Sequence, residues 1–244
     1  MYKHFICIFL FLFGTILVLN SISEAQNVWE KPYAEWKLDE AQKIVNKSPW
    51  AHSYTDIGVE YDSRRLNEKS LFGDVSPVFV VRLYSANTLR RGLVRMNQFG
   101  QKYDTLAAAE KLKIDEKNKP VLDCDQCKKY YILIVVQPAA PEARETLVGR
   151  KLKDIKLEDL KGRVYLMNDK KEKRELVQFV PPRSDNGYAT FYFDRLDSSG
   201  RPLISDDSKK MSAVFNIDPI YKYFLGNKVE FDVSKMKIDQ KVDF

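Results

Sequence analysis

Phe5 to Leu19 form one apolar run, FICIFLFLFGTILVL, with Lys3 ahead of it and a short polar tract ending Ser23-Glu24-Ala25 behind. A charged start, an apolar middle and small residues before a cleavage point are the layout of a secretory signal peptide. The pattern predicts cleavage between Ala25 and Gln26. An uncleaved anchor is the competing reading, because a spanning helix wants about 20 apolar residues and Ile22 extends the run past Asn20 and Ser21. Cys7 lies near the start of the run, which argues against a lipoprotein. Under either reading the bulk of the chain lies outside the cytoplasm.

The next periodicity is helical. Leu38, Ala41, Ile44 and Val45 share one face, Asp39 and Glu40 occupy the first turn, and Ser48-Pro49 ends the helix. Trp36 is placed to pack back on Ala41 as a staple, with Lys37 as a poor N-cap. Alternation then takes over. From His52 to Tyr61 a strand is predicted, with Thr55, Ile57, Val59 and Tyr61 opposite Asp56, Gly58 and Glu60, before a polar loop over 62–75. Val78 to Tyr84 predicts a second strand, leading to a helix capped by Asn87 or Thr88 with Leu89, Leu93 and Met96 on one face. Asp104 starts another helical stretch, and Asp115 to Lys129 reads as a polar loop around two cysteines.

Tyr130 to Val136 (YYILIVV) is the most apolar strand and is expected near the centre of its sheet. Pro138 and Pro141 break the chain, and 142–161 show helical spacing at Leu152, Ile155 and Leu160. Beyond Arg163 strand patterns dominate: RVYLMN, ELVQFV, YATFYFDRL, MSAVFNI and KVEFDVS, separated by turn residues such as Asp185-Asn186-Gly187 and Ser199-Gly200. The fold class expected is α+β, with N-terminal amphipathic helices packed on a mainly antiparallel sheet or β-sandwich and a β-rich C-terminal half. After a signal segment at 1–25, residues 26–244 form one exported domain, with 138–160 as the candidate subdivision.

Composition adds little that the pattern lacks. Losing residues 1–25 removes one lysine and one glutamate, so the net charge stays +6. Mild basicity is compatible with a protein partner or an anionic envelope surface, and export disfavours nucleic acid. Contact with a membrane is expected only through an uncleaved N-terminus. Cys7 leaves with the signal, so Cys124 and Cys127 remain as an even pair, most simply a disulfide in an oxidising compartment.

Trp36, Ala41, Ile44 and Ser48-Pro49-Trp50-Ala51, with VVRLYSA at 80–86 and Val229 to Met236, resemble a group of uncharacterised secreted bacterial proteins. The resemblance implies a shared fold and export, and transfers no active site.

Candidate chemistry is thin. Cys124-Asp-Gln-Cys127 invites comparison with a thiol-disulfide centre, yet apolar strand residues follow almost at once, and Asp123 and Asp125 oppose thiolate formation while Lys128 and Lys129 favour it. Zinc needs two further ligands, and no second CxxC or His-rich spacing supplies them. His52 has Asp56 four residues on, but an extended strand sets the two more than about 10 Å apart, and no nucleophile elbow accompanies them. Asp194, Asp197, Ser198 and Ser199 before Gly200 read as a hairpin turn rather than a calcium loop. Arg90, Arg91 and Arg95, with Arg82 close by, are the candidate anion-binding stripe, although such a run usually marks a solvated helix face. No catalytic residue, metal or cofactor is assigned. Three readings remain: an exported, non-enzymatic interaction or structural module; a thiol-disulfide or metal-dependent enzyme at Cys124 and Cys127; and a membrane-tethered sensor or assembly factor.

Overall fold

The computed structural model describes residues 28–54, 79–136, 152–183, 188–217 and 228–244. The signal segment with its Ala25–Gln26 cleavage point, residues 55–75, the break at Pro138 and Pro141 with 142–151, and the turn at Asp185-Asn186-Gly187 lie outside the described residues.

Eight strands form one antiparallel sheet. They are β1 (Ala51–Tyr54), β2 (Phe79–Leu83), β3 (Tyr130–Val136), β4 (Val164–Asn168), β5 (Lys173–Val180), β6 (Tyr188–Asp194), β7 (Lys210–Phe215) and β8 (Lys228–Asp232). Their order is β1-β2-β3-β6-β5-β4-β7-β8. Strands β4, β5 and β6 run consecutively across the sheet and β6 returns beside β3, which is Greek-key topology. The sheet curls until its ends nearly meet, with the His52 ring of β1 packed edge-on against the Phe231 ring of β8 at 4.9 Å.

Period-two alternation explains the interior. In β6, Ala189, Phe191 and Phe193 point inward while Tyr188 and Tyr192 face out. Phe191, Phe193, Phe215 and Phe231 are fully buried together with Leu133 and Leu166. Phe191 meets Phe215 edge-to-face at 5.5 Å and the tilted ring of Phe179 at 5.0 Å. A nearly closed eight-stranded sheet has an interior of a width that side chains fill, and these rings fill it.

Helices cover one side. Helix α1 (Leu38–Asn46) buries Ala41, Ile44 and Val45, as its spacing predicts. Trp36 is buried ahead of it, its indole N–H donating to the Lys31 carbonyl at 3.1 Å. Helix α2 (Asn87–Gly100) crosses α1 so closely that a Cβ at Gly92 would lie 2.9 Å from a Val45 methyl and 3.0 Å from an Ile44 methyl. Ala86 is its N-cap and offers no side-chain bond, whereas the distant Asp243 carboxylate accepts the Thr88 N–H at 2.8 Å.

The loop expected over Asp115–Lys129 is instead helical, in α3 (Ala108–Asp123) and α4 (Asp125–Lys129), with a 3-10 turn at Tyr103–Thr105 where the preceding helix was expected to start. Helix α3 buries only Ile114 and Asn118, so it lacks the apolar stripe that reveals a helix. Polar bonds dock it instead: Asn97 to Asn118 at 3.0 Å, Gln98 to Asp115 at 3.3 Å and Tyr103 to Asp115 at 2.7 Å. Of the helix expected before β4, the described helical part is Leu152 and, after four intervening residues, one turn, α5 (Leu157–Leu160). The C-terminus folds back as a hairpin of β9 (Lys237–Ile238) and β10 (Lys241–Val242), whose turn residues Asp239 and Gln240 both have positive φ. That conformation suits a tight two-residue hairpin.

Candidate functional site

The four arginines of the expected stripe part company in the fold. Arg82, on the outer face of β2, donates through Nε to the Val45 carbonyl at 2.8 Å and through Nη2 to Asn46 Oδ1 at 2.7 Å. It ties the C-terminal turn of α1 to the sheet, where a cation also suits the helix dipole. Burial pushes its pKa down to about 10, so it stays charged at neutral pH. Arg90 is 6% exposed and reaches the carbonyls of Tyr84 at 3.2 Å, Ser85 at 2.5 Å and Leu122 at 3.4 Å, joining the β2–α2 turn to the end of α3.

Arg95 is 5% exposed. Its Nε donates to the Trp36 carbonyl at 2.9 Å, and its two terminal nitrogens grip Asp104 at 2.8 and 2.9 Å. The guanidinium also lies 4.2 Å from the Phe99 ring centre. Arg91 alone of the four is exposed, with its guanidinium 5.9 Å from the Tyr33 ring centre. A helix can hide arginines this way because their stems are apolar and their forks match backbone carbonyls.

Cys124 and Cys127 form a disulfide at the α3–α4 junction. They are 8% and 4% exposed and pack with Ile132 beneath Tyr84, Tyr130 and Tyr192. A bonded pair suits an oxidising compartment. Among the described residues no group of three or more His, Cys, Asp or Glu side chains is arranged to hold a metal ion, and no helix is long and apolar enough to cross a membrane.

His52 faces the sheet interior, opposite Val81 in β2. Burial holds its pKa below the usual imidazole value. Asp56 lies outside the described residues. Asp197 makes the predicted turn: its carboxylate accepts the N–H groups of Ser199 and Arg201 at 2.8 and 2.9 Å, and Gly200 takes φ +76°. Those bonds, the Arg201 one first, lower the pKa of Asp197.

Two features escaped the sequence reading. Arg195, just after β6, lies against both rings of the edge-to-face pair Tyr131 and Phe244, 5.1 and 5.0 Å from their centres, the rings themselves being 5.3 Å apart. The other is a tyrosine face on the outside of the central strands. Cross-strand register sets Val136 beside Tyr188, Ile134 beside Thr190 and Ile132 beside Tyr192. Tyr192 meets Tyr130 edge-to-face at 5.7 Å. Tyr188 is 37% exposed. Burial raises the Tyr84 pKa, Arg90 opposes the rise, and the Tyr188 and Tyr192 phenols add to it, so the three hydroxyls lie within electrostatic reach of one another. The alternation Tyr188, Thr190, Tyr192 in YATFYFD was the available signal.

Compared with known proteins, the chain matches no family model, no curated protein and no solved structure.

Proposed function

We propose that this chain is an exported, non-enzymatic module that works by contact, presenting the tyrosine face of β3 and β6 to a protein partner. One observation carries the reading: the groups suited to chemistry are engaged in holding the fold, while exposed Tyr188 and half-buried Tyr130 and Tyr192 stand on the outer face of the central strands. Arg82, Arg90 and Arg95 bind backbone carbonyls, and the two cysteines are bonded and buried. Tyrosine is enriched at protein interfaces because it offers a large ring and a hydroxyl at low conformational cost.

A protein partner is favoured over an anionic surface because several exposed cations sit beside carboxylates. Lys128 pairs with Asp125 at 2.7 Å, Lys210 with Glu230 at 2.8 Å, Lys235 with Asp232 at 3.2 Å and Arg201 with Asp197 at 3.1 Å. Carboxylates interspersed among the cations weaken the one-signed field that draws a polyanion, although Glu230 and Asp197 each serve two cations and the net charge of the chain stays +6.

A photo-crosslinking amino acid at position 188, expressed in the native cell, tests the reading. A discrete protein adduct from position 188, absent from a control at Glu116 on α3, is expected. No adduct at 188, or equal adducts from both positions, overturns it. Co-sedimentation with anionic vesicles in place of an adduct assigns the contact to a surface.

A further inference from the structure

We propose that His52 makes the closure of the sheet sensitive to pH: the seam between β1 and β8 stays shut while the imidazole is neutral and opens when the ring takes a proton. Strands β1 and β8 stand at the two ends of the strand order. Among the described residues β1 pairs only with β2 and β8 only with β7. No ladder hydrogen bonds join the two ends there, so side chains hold the seam. The ring contact across it is His52 against Phe231, 4.9 Å between centres at 77°. Phe231 is fully buried, and His52 Nε2 is buried with no hydrogen-bond partner.

The surroundings offer a proton no compensation. On β2 the residue opposite His52 is Val81, and Arg82 turns to the other face to bind Val45 and Asn46. On β1 itself, Ser53 donates to the Asn46 carbonyl. On β8 the charged residues alternate with the inward Val229 and Phe231. Glu230 pairs outside with Lys210 and Lys228, and Asp232 with Lys235. Met211, which faces Phe231 from β7, carries no charge. Among the described residues, then, no carboxylate faces the ring. An imidazolium there loses hydration without gaining an ion pair, and its attraction to the one ring of Phe231 offsets only part of that loss.

The direction of the effect follows from linkage. Burial lowers the folded-state pKa of His52 below its unfolded value. Its stabilising contribution is therefore complete above the unfolded value, near 6.5, and is lost as pH falls toward the folded value. Over that window the opening equilibrium rises by up to about tenfold per pH unit, and it levels off below the folded value. Carboxylates held low by their partners, such as Glu40 and Asp104, lose their contributions at lower pH, below their unfolded values near 4.

Side-chain footprinting by hydroxyl radicals from about pH 7.5 to about pH 5 tests the proposal, because opening a seam held by side chains exposes the ring of Phe231. The expected result is a rise in modification of Phe231, which is fully buried while the seam is shut, with the interior Phe191 of β6 unchanged. His52→Phe, which keeps a ring against Phe231, is expected to flatten it. A pH-independent seam, or the same rise in His52→Phe, overturns the proposal. Should that variant not fold, NMR titration of the wild-type ring decides. Titration below about 6.5 in step with seam opening supports the proposal, and titration at or above that value overturns it.

Discussion

Arg95→Met separates a structural clamp from a binding residue. The substitution keeps an unbranched apolar stem beside Phe99 and the Trp36 backbone and removes the guanidinium. An arginine kept for an anionic ligand is dispensable for folding, whereas a clamp is not. The Nε bond to the Trp36 carbonyl is charge-assisted, buried and 2.9 Å long, a class of bond contributing about 1.5–3 kcal/mol. Asp104 is 54% exposed on its side chain, so it rehydrates when released and its share is below about 1 kcal/mol. Stacking on Phe99, 4.2 Å away, adds about 0.5–1 kcal/mol, part of which a methionine sulfur recovers. The sum is a loss of about 3 kcal/mol. For a chain of this size that corresponds to a fall in Tm of about 6–12 °C. Urea unfolding followed by tryptophan fluorescence measures it, with Trp36 beside the perturbation. Arg91→Met, at the exposed neighbour, is the control and is expected to stay within about 0.5 kcal/mol of wild type. Arg95→Met as stable as Arg91→Met refutes the reasoning.

Gly92→Ala gains helix propensity of about 1 kcal/mol but drives a methyl into Val45 and Ile44 at 2.9–3.0 Å. Both neighbours are β-branched and stiff, so overpacking of about 1–3 kcal/mol prevails and stability falls in the same urea assay. Gly100→Ala meets nothing within 4 Å and is expected to stabilise by up to about 1 kcal/mol. Native protein treated with millimolar dithiothreitol is expected to release no thiols in the time that urea-unfolded protein releases both, because Cys124 and Cys127 are buried; equal rates contradict their burial. N-terminal sequencing of the exported protein is expected to begin at Gln26, and a start at Met1 favours the tethered reading.

The strands were legible because each carries its own evidence. In Tyr188–Asp194 the alternation of rings and polar groups is local, and all five strands expected beyond Arg163 form within a few residues of their patterns. Helix α1 was legible for the same reason. Closure of the sheet was not, because it rests on His52 and Phe231, which are far apart in the chain and met by topology. Helix α3 was missed because Asn118 and Asp115 dock it by polar bonds rather than by an apolar stripe. The α2 N-terminus was misplaced because its capping carboxylate, Asp243, comes from the far end of the chain. The arginine stripe misled because periodicity places a residue on a face without saying what its nitrogens reach. Arg90 and Arg95 reach carbonyls that only the folded chain brings near.

Competition for the position-188 adduct tests the contact claim most directly. Excess wild-type protein is expected to suppress the adduct. Excess Tyr188→Ala/Tyr192→Phe protein, folded to the same urea midpoint, is expected to leave it at full yield. If the double variant suppresses the adduct as well as wild type does, the tyrosine face is not the contact surface.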